Sequence, residues 1–337
     1  MGIFPQGCGG LGFALVLATA GGTVPARACT VPVFRYALDR WEPDAYRLVV
    51  DASWAATPDG LRLLAPLRGN GPANLAVEER EGAGARLEFP EGEGPVALWN
   101  GVLDADSLGR LLESPARAEL VRRLIRGDSV VWVAVAGSDP EDQAATERLE
   151  ERLRFLEQVG SLPEQDPTDP ESRLGPGPEL ALRFSLLRMT ADDPEEALFR
   201  RLLAGPGGEE GAAEGAGFAA AVFGRGRVLG AWPLASLEDA LIEDVSLFLI
   251  GRCSCRVKQE NPGWDLLLRA DWERELEAAD MVEDPVPEPT AAPGPVTITT
   301  AVAAPEAARR ERAWRAWAGL GLVAVLGWAG WKIWRPR

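Results

Sequence analysis

Chemistry in this sequence falls to carboxylates, hydroxyls and four cysteines (Cys8, Cys29, Cys253 and Cys255), because it contains no histidine and two lysines, Lys258 and Lys332. Without imidazole there is no Ser-His-Asp or Cys-His nucleophile, and no histidine-ligated zinc, copper or non-haem iron. No G-x-x-x-x-G-K-[ST] loop is present to cradle a nucleotide phosphate. Lys258 follows Cys-Arg-Val and Lys332 stands among tryptophans, and neither is the setting of a kinase or Schiff-base lysine. Acidic side chains number 51, so carboxylate pairs occur throughout and no single pair is marked for acid–base work. Asp104-x-Asp106-x-x-Gly109 begins like a calcium loop, but Leu108 and Pro115 fall where an oxygen ligand and a bidentate Glu are required. No metal and no cofactor is therefore expected. A formal net charge of −16 repels phosphate backbones and argues against nucleic acid as a partner.

The cysteines carry the sharpest chemical expectation. Cys253-Ser254-Cys255 lies between a helix ending at Gly251 and the turn Asn261-Pro262-Gly263, whereas Cys29 stands just before a helix opened by Pro32. A thiolate at that helix start would be stabilised. One reading is a structural disulfide from Cys29 to Cys253 or Cys255. A second is a redox or thiolate-metal site in which Cys29 exchanges with the C-x-C pair, and a third leaves a thiol unpaired or lipidated. Cys29-Thr30-Val31-Pro32 before a helix also resembles the active-site turn of thioredoxin-like proteins, where C-x-x-C opens a helix. The resemblance implies a thioredoxin-like α/β fold, with Pro32 in place of the second cysteine.

The elements that must position these residues begin at the ends of the chain. Leu11–Ala20 is an apolar run of h-region length, and Ala26-Arg27-Ala28 matches the A-x-A cleavage pattern. Residues 1–28 are thus expected to be a signal peptide, although no Lys or Arg precedes the run; Cys8 is lost with it and Cys29 begins the mature protein. Bacterial lipoprotein signals resemble this arrangement, but Arg27 occupies a place where they carry a small residue. At the other end, Ala316–Trp331 is 16 residues without a charge, extended to Trp334 if Lys332 snorkels. Trp314 and Trp317 at one end and Trp328, Trp331 and Trp334 at the other form the interfacial belt of a transmembrane helix over 313–334, followed by a basic tail at 335–337. Arg309, Arg310, Arg312 and Arg315 before the span outnumber Lys332, Arg335 and Arg337 after it. That count favours a tail-anchored protein with a cytoplasmic body, whereas the signal peptide places the body outside.

Between the ends the sequence predicts an α/β body of alternating helices and strands. Two halves, 29–160 and 180–280, are joined by a Pro-rich linker at 161–179 and followed by a Pro-rich stalk at 281–312. Expected helices start at Pro32, at Asp139-Pro140-Glu141-Asp142, at Asp193-Pro194-Glu195-Glu196 and after Ser236, the last with Leu237, Leu241, Val245 and Phe248 on one face. A further helical stripe runs from Leu108 to Ile125, broken by Pro115. Expected strands are Tyr46–Val50, Ser129–Ala136 and Leu180–Met189, with a hairpin from Phe218–Phe223 to Val228–Trp232 whose tip leaves Arg225 and Arg227 solvated. The two D-P-E-[DE] helix starts look alike, as good helix starts do. Together these features describe an extracytoplasmic, membrane-anchored binding or envelope-associated module without conventional catalysis. Its partners would be the lipid bilayer and an extracytoplasmic molecule of unknown identity. The alternative is a membrane-anchored thiol-disulfide or thiolate-metal protein using Cys29, Cys253 and Cys255.

Overall fold

The computed structural model describes residues 30–69, 71–90, 96–166, 168–207, 216–252 and 257–281. Pro32 stands at the N-cap of α1 (Val33–Arg40), one residue ahead of the first helical position expected for it, and the helix buries Val33, Phe34, Ala37 and Leu38, with Trp41 just beyond it. β1 (Tyr46–Asp51) ends on Asp51, whose carboxylate accepts from Ser53 N and Trp54 N and so caps α2 (Ala52–Ala55). After α3 (Pro58–Leu64), β2 (Leu75–Arg80) returns parallel to β1. β3 (Ala85–Glu88) pairs antiparallel with the other side of β1, and β4 (Ala97–Gly101) antiparallel with β3, giving a sheet in the order β2-β1-β3-β4. The periodicity of residues 52–101 does not announce β2, β3 or β4, because these strands are short and mix charged with apolar side chains.

Pro115 divides the next helical stripe into α4 (Ala105–Leu112) and α5 (Pro115–Ile125), with the proline at the first helical position of α5. Asp104 and Ser107, part of the failed calcium pattern, form the capping box of α4. β5 (Val130–Ala136) and α6 (Pro140–Val159) follow, Asp139 accepting from Glu141 N at the helix start. β6 (Phe184–Thr190), α7 (Ala197–Ala204), β7 (Phe218–Phe223), β8 (Arg227–Pro233), α8 (Asp239–Ile250), β9 (Trp264–Asp265) and α9 (Trp272–Asp280) complete the described elements. The second sheet runs β6-β5-β7-β8-β9. One sheet therefore takes β5 from the first predicted half and its other strands from the second.

β5 is buried on both faces, which is why it reads as a continuous apolar run. Val131, Val133 and Val135 join a core with Tyr46, Leu48 and Val50 of β1. Val130, Trp132 and Ala134 join a second core with Leu149, Leu153 and Leu156 of α6 and Phe34 and Ala37 of α1. The period of two along β5 thus separates two cores on one strand. The two sheets also share one pattern: a parallel first pair, then two strands added antiparallel on the far side of the first. The two D-P-E-[DE] segments do not mark that correspondence, since they follow β5 and β6, neighbours within one sheet.

Several expected elements shift. β6 starts at Phe184 rather than Leu180, and α7 starts at Ala197, three residues beyond Pro194. Asp193 still accepts from Glu195 N, but in a turn ahead of the helix. α8 begins at Asp239 because Leu234–Ser236 forms a 3-10 turn and Leu237 is extended. Its buried face is Ile242, Val245, Ser246, Leu249 and Ile250, while Phe248 is exposed. A helix this apolar offers more than one stripe, and sheet packing selects among them. The 161–179 segment is more than a spacer, because it straps α1. Arg35 donates to Pro178 O (2.5 Å) and Gly175 O (2.8 Å), Gly175 N donates to Asp39 (2.9 Å), and Thr30 N donates to Ser172 Oγ (3.1 Å). Burial raises the Asp39 carboxyl above its ordinary value against the pull of Arg35, 2.9 Å away.

Candidate functional site

The predicted cysteine site, Cys29, Cys253 and Cys255, lies outside the described residues, and so do the predicted signal peptide, stalk and membrane belt of Trp314, Trp317, Trp328, Trp331, Lys332 and Trp334. Among the described residues no helix is long and apolar enough to cross a membrane. The chain flanking the cysteines is nevertheless brought together. Pro32 forms an antiparallel bridge with Arg252, and Val33 N donates to Gly251 O at 3.0 Å. Thr30, next to Cys29, is held by Ser172 and by Gln165, whose Nε2 donates to Thr30 O at 3.1 Å.

The turn between β7 and β8 does not leave its arginines solvated. The tight reversal uses Gly224 and Gly226 at positive φ (59° and 89°), and it drives both guanidinium groups inward. Arg225 donates to Leu38 O (2.8 Å), Glu42 (2.9 Å) and Glu273 (2.8 Å). Arg227 pairs with Asp265 (3.2 Å) and donates to Asn261 O (2.9 Å) and Gly263 O (3.0 Å). The other Asp265 oxygen takes Lys258 Nζ and the backbone N–H of Asp44 (2.7 Å), and Lys258 also meets Asp44 (2.7 Å) and Glu42 O (2.6 Å). Tyr46 donates to Asp265 O (2.6 Å); burial and then the Asp265 and Asp44 charges push its hydroxyl well above its ordinary value, so it stays a neutral donor. Asn74 closes the cluster, donating to Asp44 O (2.9 Å) and Leu266 O (3.0 Å) and accepting from Leu268 N (3.0 Å). These bonds stitch the starts of β1 and β2 to β8 and β9, so one sheet is held to the other by buried charge. Periodicity arguments miss such a cluster; the one signal in the sequence was a lone lysine, Lys258, in an arginine-rich body.

A second buried network handles the break at Pro115. Arg117, nearly fully buried in the first turn of α5, donates to Arg110 O (2.7 Å) and Leu111 O (2.8 Å), the terminal carbonyls of α4. Glu196, at the N-cap of α7, accepts from Ser114 Oγ (2.5 Å) and Ala116 N (2.7 Å) at the start of α5. A cation thus sits at one helix C-terminus and an anion at the next N-terminus, each favoured by the helix dipole. Burial pulls the Arg117 guanidinium down to about 10, opposed by Glu196, which leaves it charged at neutral pH.

Two grooves open on the body, one among α2, α3 and α4 and one along β2. One, of about 850 Å³, is walled by Trp54, Leu63, Leu67, Leu103, Leu108 and Leu112, with Asp59, Arg62, Asp104 and Arg269 at its polar rim. The other, of about 670 Å³, follows β2 from Ala73 to Glu79 and is closed by Glu42, Pro43, Trp272 and Glu273. Among the described residues no group of three or more carboxylates or thiols stands where it could share a metal ion. The buried charges are engaged in holding sheets and helices together, and the open chemistry of the body is concave and mixed apolar and acidic. No family model matches the chain, and no curated protein matches it in sequence.

Proposed function

We propose that this chain is an exported, membrane-anchored binding module. In this reading residues 1–28 direct export, the α/β body engages a partner outside the cytoplasm, and the stalk at 281–312 tethers it to a bilayer helix at 313–334. The observation that carries the binding role is the apolar groove: its volume of about 850 Å³ and its apolar walls with a few polar rim groups are the character of a ligand site. Leu63 and Leu112 are half-buried in its wall, where they pack against the core from the groove side. Titration with bis-ANS, an apolar fluorescent probe, is expected to show one saturable site. Leu63→Glu with Leu112→Glu should weaken it about tenfold or more in a variant shown by circular dichroism to be folded at the assay temperature. Equal probe binding by wild type and variant would remove the groove from the account.

A second reading, a thiol-disulfide or thiolate-metal site at Cys29, Cys253 and Cys255, is favoured by the bridge between Pro32 and Arg252. That bridge brings together the described residues that flank the cysteines, and a pairing of Cys29 with either Cys253 or Cys255 accords with it. Against a redox role, α1 packs on β7 and α8 and follows no strand of the described residues. We therefore read the cysteines as a cross-link that fastens the start of the mature chain to the end of α8.

A further inference from the structure

We propose that the free edge of β2 is a docking slot for an extended peptide segment bearing a basic side chain. The proposal rests on the binding-module reading but uses a different face from the apolar groove. β2 is an edge strand, hydrogen-bonded to β1 on one side. Tyr46 N donates to Asn74 O, and in a parallel pair this phase turns the N–H and C=O groups of Val77 and Glu79 away from β1. Those groups face the groove of about 670 Å³, which is lined by the consecutive residues Ala73 to Val77, as a strand edge lines a slot.

The outer edges of β4 and β6, by contrast, are blunted. At β4, Arg201 donates to Ala97 O (3.1 Å) and to Leu98 O, and at β6, Arg123 donates to Leu186 O (2.9 Å). Along β2 the corresponding cation, Arg68, is spent on the Glu79 side chain. Charge at the slot is also unbalanced. Among the described residues Glu42 and Glu273 share a single ion-pair partner, Arg225, and their side chains remain 76% and 67% exposed, which leaves one negative charge at the Asn74 end. A strand added here would gain main-chain hydrogen bonds from the edge, and a lysine or arginine near its end would meet the two carboxylates.

The probe is a fluorescein-labelled hexapeptide of alternating valine and threonine with one terminal arginine, made with the arginine at either end, against matched peptides carrying glutamate instead. Fluorescence anisotropy with the full chain is expected to show saturable binding of an arginine peptide, about tenfold tighter than its glutamate partner. Val77→Pro, which removes an outward N–H without touching the ladder to β1, should weaken binding more than tenfold. Glu42→Gln, at an exposed side chain, should weaken it about threefold without any backbone change. Absence of binding, binding indifferent to the peptide's charge, or binding unchanged in both variants overturns the proposal. If bis-ANS still fills the apolar groove in that event, the failure belongs to this slot and not to the binding-module reading.

Discussion

Asp265→Ala is expected to destabilise the body by about 3–5 kcal/mol, the effect of removing one partner from a buried ionic cluster. Asp265 is 3% exposed and answers two cations, Arg227 and Lys258, whose side chains are 7% and 9% exposed. Removing its carboxylate leaves Arg227 with backbone carbonyls and Lys258 with Asp44 and Glu42 O. Arg227 would then be a buried guanidinium without the carboxylate it pairs with, beside a lysine that keeps the part-exposed Asp44. The cluster joins β1 and β2 to β8 and β9, so the loss should appear as one cooperative shift in a urea melt rather than as local fraying. Asp265→Ala with Lys258→Met restores the net charge of the cluster and should recover part of the loss, the remainder reflecting Asp44, which loses its lysine. A single substitution worth less than 1 kcal/mol would mean that the sheets are held by apolar packing alone.

Arg117→Met is expected to cost about 3 kcal/mol or more. The thioether fills much of the same space, so the change isolates polarity from volume. Two terminal carbonyls of α4 lose their donor, and Glu196 loses the nearest favourable charge. Each buried acceptor left without a partner carries a penalty of about 1–3 kcal/mol. The same melt, compared with Arg117→Lys, separates charge from geometry. Lysine keeps the charge but cannot reach two carbonyls with a planar fork, and it should recover less than half of the loss. Full recovery by lysine would show that net charge, not the forked hydrogen bonding, holds α4 to α5.

How much of this was legible in the sequence differs by element. β5 and α6 were readable because their signals are local: an unbroken apolar run, then Asp139-Pro140 with acids on the dipole end. Pro115 likewise announced the break it makes, since a missing N–H is a property of the residue itself. β2, β3 and β4 were not readable, because each takes its strand character from its neighbours in the sheet. The arginines of the β7–β8 turn were misjudged for a related reason. An arginine between two glycines looks like a solvated tip, and its burial depends on Glu42, Glu273 and Asp265, all far away in sequence. The 161–179 strap has a linker's composition and a packed segment's contacts, since its bonds to α1 run largely through backbone carbonyls that composition does not encode. Of the candidate sites, the cysteines stood out from the sequence, whereas the two grooves are products of tertiary packing.

We propose a body that works outside the cytoplasm, fastened at its start by a disulfide and at its end by a bilayer helix. The most direct test is the intact mass of the chain extracted from membranes, with thiols alkylated by one reagent before denaturation and by a second after denaturation and reduction. The proposal predicts a chain beginning at Cys29, with two thiols reached only after reduction and peptide mapping that joins Cys29 to Cys253 or Cys255. A chain that retains residues 1–28, with every thiol taken by the first reagent or exposed by denaturation alone, would contradict it and make the arginines before Ala316 the true guide to topology.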